Sequence, residues 1–319
     1  GNNMLLRIIC CMFLLLVGNA YAGIDPRPAL QLPLSNKAVM LDLETHKANV
    51  FAVGERGIIL RSTDEGASWE QLDSPIDVTL TGISFSSEKE GWIVGHESTI
   101  LHSVDGGATW AINRYQPEEE KFYMSVNFVN PQLGYVLGTD GELWVTEDSG
   151  KTWEVTILSV EEWYQNHLFA IEKLGKTALV AAERGGVFYS EDGLTDWQAV
   201  PSPYEGSFFG VNVIANQYLI FGMSGHLYLI NPSSLEWTKI NTATDQFLLD
   251  SVATADNQLA LVVGRGGVIL VLNEKGELVK KIEDSSRVDY TAVAILGESV
   301  YLASMAGGVR TMPLNKLTD

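Results

Sequence analysis

One phrase recurs seven times along the chain, and it constrains the fold more than any other feature. Each copy has an apolar stretch ending in a small residue, a glycine-containing turn, a second apolar stretch and a polar turn. The clearest copies are VFAVGERGIILRSTDEGASW, from Val50 to Trp69, and GWIVGHESTILHSVDGGATW, from Gly91 to Trp110. The small residues that end the first stretches are Gly54, Gly95, Gly138, Ala182, Gly222, Gly264 and Ser304.

These small residues are 40 to 44 positions apart. A period in this range, with short alternating strands and no helical periodicity, is typical of a repeat made of four short strands. Seven such repeats predict an all-β protein, a seven-bladed β-propeller with four-stranded antiparallel blades, over residues 23–319. The blades should be centred near residues 54, 95, 138, 182, 222, 264 and 304.

The last repeat contains only three strand-like segments before the chain ends. The segment Ala29–Leu34 (ALQLPL) lies before the first complete repeat and is also strand-like. We therefore predict that this N-terminal strand completes the last blade and closes the ring, leaving no open sheet edge between the first and last blades. Pro33 would suit an outer edge strand, where a missing N–H is tolerated.

The first 22 residues have the pattern of a signal peptide, and residues 1–3, before Met4, are interpreted as an expression scar or as a mis-assigned start. Arg7 precedes the apolar run Ile8 to Val17, and Ala20-Tyr21-Ala22 has the small-x-small form of a cleavage site. We expect cleavage after Ala22 and export to the periplasm. A retained segment that anchors the protein in the membrane is the alternative.

Charge and cysteine content exclude several classes of function. The 40 acidic residues outnumber the 21 basic ones, for a net charge of −19, which argues against binding to nucleic acid or to anionic lipid surfaces. Cys10 and Cys11 both lie in the signal segment, so the mature chain should have no disulfide. The five histidines lack zinc-site spacing. We expect a monomer without cofactor or metal.

Four of the polar turns carry the pattern Ser/Thr-x-Asp-x-Gly-x-x-Trp, exactly matched or nearly so. In this pattern the hydroxyl and carboxylate oxygens can accept backbone N–H bonds, glycine supplies a positive φ, and tryptophan packs between sheets. A calcium site is the weaker interpretation, because each turn offers one carboxylate and calcium takes six to eight oxygens. The residues are Ser62, Asp64, Gly66, Trp69; Ser103, Asp105, Gly107, Trp110; Thr146, Asp148, Gly150, Trp153; and Ser190, Asp192, Trp197.

This turn is the Asp-box of BNR repeats, and the chain resembles the photosystem II stability/assembly factor-like family of exported seven-bladed propellers. The resemblance covers about Ile24 to Leu314 and is most specific at Val50–Trp69 and Gly91–Trp110. It implies a non-enzymatic assembly or scaffolding role on a membrane-protein partner or its exported segments. Members are often encoded beside RND-type transporter genes, which makes such a transporter system a candidate partner.

In a propeller, the turns between second and third strands share one face with the crossovers between blades, opposite the Asp-box turns. Arginines on that face could bind carboxylates of a partner peptide, because the guanidinium presents a planar fork of donors. Ion pairs with Glu55 or Glu183 are the alternative for the arginines, as is packing between blades for Trp163 and Tyr164. The candidate partner-binding residues are Arg56, Arg184, Arg265, Arg287, His96, Tyr115, Trp163, Tyr164 and Tyr204.

A second class of function remains open at this stage, because Asp-box propellers include glycoside hydrolases and carbohydrate-binding proteins. A glycosidase should bring two carboxylates within about 5–10 Å of each other on the crossover face. Motifs for serine or cysteine nucleophiles and for phosphate-binding glycine loops are absent from the sequence. The sequence therefore favours a binding protein over an enzyme.

Overall fold

The computed structural model describes residues 24–319, so the expected signal peptide lies outside the described residues. Its strands form seven separate antiparallel sheets arranged as the blades of a propeller. Six sheets have four strands and the seventh has three. The predicted seven-bladed β-propeller is confirmed.

The first four blades follow the chain order, with the first strand of each blade innermost. Blade 1 comprises β1 (Met40–His46), β2 (Asn49–Gly54), β3 (Ile59–Ser62) and β4 (Glu70–Leu72). Blade 2 comprises β5 (Leu80–Phe85), β6 (Gly91–Gly95), β7 (Thr99–Ser103) and β8 (Ala111–Arg114). Blade 3 comprises β9 (Tyr123–Phe128), β10 (Gly134–Gly138), β11 (Glu142–Thr146) and β12 (Glu154–Ile157). Blade 4 comprises β13 (Leu168–Leu174), β14 (Thr177–Ala182), β15 (Val187–Ser190) and β16 (Gln198–Ala199).

The remaining three blades repeat this order. Blade 5 comprises β17 (Phe208–Ile214), β18 (Gln217–Gly222), β19 (Leu227–Ile230) and β20 (Trp237–Lys239). Blade 6 comprises β21 (Leu248–Ala253), β22 (Leu259–Gly264), β23 (Val268–Asn273) and β24 (Leu278–Glu283). Blade 7 comprises β25 (Tyr290–Leu296), β26 (Ser299–Ser304) and β27 (Val309–Pro313), followed by the short helix α1 (Asn315–Thr318). The 3-10 turns are Ser35–Lys37, Glu55–Gly57, Pro117–Glu119, Thr139–Gly141, Met223–Gly225 and Arg265–Gly267.

The second strand of each blade is almost wholly buried, and its sequence is a continuous apolar run such as NVFAVG in β2 or QYLIFG in β18. Both faces of this strand contact neighbouring blades, which is why the run shows no polar alternation. The outer strands are exposed instead, as in β12. The seven hydrophobic clusters of the described residues correspond to the seven interfaces between blades, so the core is a ring of interfaces.

The predicted closure of the ring by Ala29–Leu34 is wrong. This segment is not a strand, and it lies along the outer part of blade 1, where the Ala29 amide donates to the Ser74 carbonyl over 3.0 Å. The Gln71 side chain accepts from the Leu32 amide and donates to the Leu30 carbonyl. Because blade 1 satisfies these backbone groups, the segment does not pair with β27.

Side-chain packing closes the ring. A cluster that includes Met40 of β1 and Tyr301 of β26 fills the interface between blades 7 and 1. Two hydrogen bonds cross the same interface: the Thr291 hydroxyl donates to the Met40 carbonyl over 2.7 Å, and the Gly308 amide donates to the Ala38 carbonyl over 2.9 Å. The first and last blades are thus held together in the same way as any other neighbouring pair.

Candidate functional site: the crossover face and the central channel

The turn between the second and third strands of each blade packs against the crossover that leaves the same blade. A Cβ added to Gly57 would lie 1.9 Å from the Ile76 carbonyl oxygen, and one added to Gly185 would lie 2.1 Å from that of Tyr204. These turns and crossovers therefore form one surface, here called the crossover face. Arg56, Asp140, Arg184 and Ser224 occupy the same left-handed position, with φ near +55°, in four of the turns.

The glutamates of the two Glu-Arg-Gly turns bond to backbone amides. Glu55 accepts the Val39 amide over 2.9 Å, and Glu183 accepts the His167 amide over 3.2 Å and the Tyr164 hydroxyl over 2.6 Å. Among residues 24–319, none of the four candidate arginines lies within 4.0 Å of a carboxylate oxygen. Their guanidinium groups thus keep their capacity to bind a carboxylate.

Two of these arginines lie over aromatic rings. The Arg184 guanidinium is 4.2 Å from the centre of the Tyr164 ring, and the Arg265 guanidinium is 4.5 Å from that of Phe247. Arg56 is exposed on blade 1, at the position that Arg184 occupies on blade 4. The candidate arginines consequently belong to separate parts of the crossover face.

The structure brings four of the candidate residues together in one groove of about 720 Å³. Trp163 and Tyr164 come from the crossover between blades 3 and 4, Arg184 comes from a turn of blade 4, and Tyr204 comes from the crossover between blades 4 and 5. Trp163 is 75% exposed, so packing between blades does not account for it. We call this feature, lined also by Val160 and Pro201, the blade 4/5 groove.

Arg287 lines a separate cavity of about 370 Å³ on the same face. The other polar side chains in its wall are those of Thr244, Asp245, Gln246 and Glu283. Arg265 directly precedes Gly266, which also lines this cavity. Arg287 and Arg265 therefore lie near each other, on blade 6 and the crossover that follows it, beside the carboxylates of Asp245 and Glu283.

His96 and Tyr115 lie on the blade 2 side of the face and line neither cavity. His96 stacks on Phe122 with ring centres 4.3 Å apart, and burial lowers the pKa of its imidazole. The Tyr115 hydroxyl donates to Glu97 over 2.8 Å. Burial, together with this bond, raises the pKa of Tyr115 to about 12. Both residues are thus held by neighbours on this side of the face.

The central channel, a cavity of about 450 Å³, contains a group of carboxylates that the sequence analysis missed. Asp42 and Glu44 come from β1, Glu172 from β13 and Asp250 from β21. Burial raises the pKa of Asp42 to about 8, with a further contribution from Asp250, and raises those of Glu172 and Asp250 to about 7. The sequence signal that could have identified these carboxylates is the presence of acidic residues among the apolar residues of the innermost strands.

Two of these carboxylates connect neighbouring blades. Asp42 of blade 1 accepts the Ile83 amide of blade 2 over 2.9 Å, and Asp250 of blade 6 accepts the Val293 amide of blade 7 over 2.9 Å. These bonds give both residues a structural role in the ring. Within residues 24–319, no group of three or more His, Cys, Asp or Glu side chains is placed to hold a metal ion.

The Asp-box turns lie on the opposite face. Their hydrogen bonds are the same in blades 1 to 3, and in blade 4 the glycine and the second hydroxyl residue come one position earlier. In blade 3, the Thr146 hydroxyl donates to Asp148 over 2.9 Å and accepts the Gly150 amide over 2.8 Å. Thr152 donates both its amide and its hydroxyl to Asp148. The residues at the Thr152 position, which the motif did not include, are Ser68, Thr109, Thr152 and Thr195.

We expect Asp148→Ala to lower the melting temperature by roughly 2–4 °C, because several donors in the turn lose their acceptor. Hydrogen bonds led by that of the Thr152 hydroxyl lower the pKa of Asp148 to about 2. A lowered pKa adds stability above the unfolded-state value, and this contribution is lost as pH falls. In thermal melts, the deficit of the variant should therefore shrink below about pH 4. Glu147→Ala, which removes an exposed neighbouring carboxylate, is the control, and an equal loss there would contradict the expectation.

The fold and the site define a class: a seven-bladed propeller with Asp-box turns on one face and an aromatic, arginine-bearing groove on the other. Among the described residues, no helix is long and apolar enough to span a membrane. The family model for "Photosynthesis system II assembly factor YCF48" matches residues 25–112 and 65–313. The chain belongs to this family.

Two relatives are assembly factors of cyanobacteria. The chain is 32% identical to "Photosystem II assembly lipoprotein Ycf48" of Picosynechococcus sp. over 217 residues, which are 67% of this chain and 63% of the relative. It is 30% identical to "Photosystem II assembly protein Ycf48" of Thermosynechococcus vestitus over 204 residues, which are 63% of this chain and 58% of the relative. The alignments thus span less than two thirds of either relative.

The fold is also that of a solved structure, "YCF48 bound to D1 peptide". The TM-score is 0.68 at 19% identity, and the match covers 91% of this chain and 95% of that chain. This likeness supports the propeller fold. That solved protein is bound to a D1 peptide.

Proposed function

We propose that this protein is a non-enzymatic assembly or scaffold factor that binds a segment of a membrane-protein partner on its crossover face. The observation that carries the proposal is the blade 4/5 groove, in which Trp163 is 75% exposed beside Tyr164 and Tyr204. Exposed aromatic residues in a preformed groove are typical of the few contacts that supply most of the energy of a protein interface. Membership of an assembly-factor family agrees with this function.

The proposal also includes the place of action and the type of partner. We propose export to the periplasm, in keeping with the signal-peptide pattern of residues 1–22. An RND-type transporter system is a candidate source of the bound segment. Arg56, Arg184 and Arg265 would contribute contacts to carboxylates of the partner, because each is exposed and lies outside ion-pair distance of a carboxylate in the described chain.

The test is affinity capture of the tagged protein from crosslinked, detergent-solubilised envelopes. We expect one membrane protein to copurify with wild type and to be reduced at least about tenfold by the triple variant Arg56→Ala, Arg184→Ala, Arg265→Ala. The control removes three positive charges from exposed turns of the opposite face: Lys151→Ala, Lys176→Ala, Lys275→Ala. It should capture the same membrane protein as wild type.

Two results would count against parts of the proposal. If the triple variant is folded and retains the same membrane protein, the arginines do not form the contact, although the scaffold role stands. If wild type captures no membrane protein, the assembly role is wrong. The same preparation would then be tested on glycan arrays and fluorogenic glycosides, because a carbohydrate-active protein is the other class with Asp-box turns.

A further inference from the structure

We propose that the blade 4/5 groove binds an extended polypeptide segment in which basic residues flank an aromatic or aliphatic anchor. This inference rests on the proposed function and adds the chemistry of the bound segment. It differs from the expectation drawn from the arginines, which favoured an acidic partner. Three features of the groove carry it: exposed apolar side chains, rigid walls and an acidic rim.

The apolar side chains supply the site for the anchor. Trp163 is 75% exposed and Val160 is 48% exposed, and both line the groove with Pro201 and Tyr204. The volume of about 720 Å³ is within the range of about 300–1,000 Å³ that is usual for ligand pockets. Burying the faces of Trp163 and Val160 against an apolar side chain would remove exposed apolar surface from water.

Hydrogen bonds and stacking hold the walls before any partner binds. The Tyr164 hydroxyl donates to Glu183, and Asn166 donates to the Glu183 carbonyl over 2.9 Å while accepting the Val160 amide over 3.1 Å. Tyr204 stacks on His226 with ring centres 3.5 Å apart. A groove ordered in this way loses little conformational entropy on binding, which favours affinity.

The charges at the rim of the groove favour a bound segment of opposite charge. Glu161 and Glu205 are exposed and line the groove, and Glu162 is exposed beside them. Among residues 24–319, Arg184 is the one cationic side chain in the wall, and its guanidinium lies over the Tyr164 ring. The rim is therefore net negative, in a chain with a net charge of −19, and it attracts lysine and arginine side chains.

Two fluorescein-labelled peptides that differ only in charge test this inference by fluorescence anisotropy. The basic peptide is GSKLKWKLSG and the acidic one is GSELEWELSG, so the apolar anchors are the same. We expect saturable binding of the basic peptide, at least tenfold tighter than that of the acidic peptide at low salt. The difference should shrink as salt is raised, because exposed charges are screened.

Two variants of the groove separate the anchor from the rim. Trp163→Ala should weaken binding of the basic peptide at least tenfold without changing the melting temperature, because the side chain is 75% exposed. The pair Glu161→Gln, Glu205→Gln should weaken it about three- to tenfold at low salt. The matched pair Glu274→Gln, Glu298→Gln removes two exposed carboxylates from turns of the opposite face and should leave affinity within twofold of wild type.

Three results would overturn the inference. The acidic peptide could bind as tightly as the basic one, the basic peptide could bind Trp163→Ala as it binds wild type, or the basic peptide could fail to bind. Each of these results is distinguishable from failure of the proposed function, which is decided by capture of a membrane protein from envelopes. One combination of results separates the two proposals. If wild type captures a membrane protein, the triple arginine variant does not, and the basic peptide does not bind, then the assembly role stands and the proposed basic segment is wrong.

Discussion

Gly150→Ala is expected to destabilise the protein by about 2–4 kcal/mol, measured as the free energy of unfolding in urea. Gly150 has φ +78°, where any residue with a Cβ is strained. A Cβ at this position would lie 2.4 Å from Cη2 of Trp92. Trp92 is 1% exposed and belongs to the cluster between blades 2 and 3, so it cannot move away without disturbing that interface.

Gly175→Ala is the matched control for this substitution. Gly175 has φ +62°, but no atom lies within 4 Å of the Cβ that would be added, so only the backbone strain of about 1–2 kcal/mol applies. The excess loss in Gly150→Ala therefore measures the packing of the Asp-box turn against the preceding blade. Equal losses in the two variants would show that this packing contributes nothing to stability.

The second large effect is an unusual dependence of stability on pH. The pKa values of Asp42, Glu172 and Asp250 are raised to about 8, 7 and 7, and burial together with Asp42 and other carboxylates raises that of Glu44. A raised carboxyl pKa means that the folded state holds protons that the unfolded state has released. The contribution of these four groups to stability is therefore fully present below the unfolded-state pKa near 4 and is lost as pH rises to about 8.

The double variant Glu44→Gln, Glu172→Gln should reduce the loss of stability that accompanies rising pH. Glu44 makes no side-chain hydrogen bond in the described structure, and an amide at position 172 retains an oxygen that can accept from Asn127. At pH 8.5 we expect the variant to be more stable than wild type by about 1–3 kcal/mol, with little difference at pH 4.5. The free energy of unfolding in urea, measured at pH 4.5 and at pH 8.5, tests this expectation.

A matched control removes two carboxylates outside the channel. Glu274→Gln, Glu298→Gln changes the net charge by the same amount on exposed turns, and its stability should follow that of wild type at both pH values. A double variant that is no more stable than wild type at pH 8.5 would show that Glu44 and Glu172 do not hold protons in the folded state. A gain at pH 8.5 in the control pair would assign the effect to net charge.

Much of the candidate site could be selected from the sequence, because its residues fall in turns and crossovers whose face follows from the blade repeat. Trp163, Tyr164, Arg184 and Tyr204 were all selected, and they line one groove. That these four residues line the same groove could not be predicted from the sequence, because it depends on how one crossover packs against the next. Arg56 and Arg287 illustrate the same point: the sequence predicted their face correctly, but it did not predict that they lie outside this groove.

The sequence by itself determined the number of blades, their strands and the Asp-box turns. These features follow from local patterns: a repeat every 40 to 44 residues, apolar runs, and glycine and hydroxyl residues at fixed offsets. The last blade shows where local pattern fails. Ala29–Leu34 has the composition of a strand, yet Gln71 and Ser74 of blade 1 satisfy its polar groups.

Only the tertiary structure decided which distant residues meet. Asp42, Glu172 and Asp250 lie on blades 1, 4 and 6, and they face one channel because closing the ring turns every innermost strand toward the same axis. The blade 4/5 groove likewise forms from two crossovers that no local pattern relates. The repeat specifies the blade, whereas closure of the ring specifies the neighbours of each side chain and hence its pKa and its exposure.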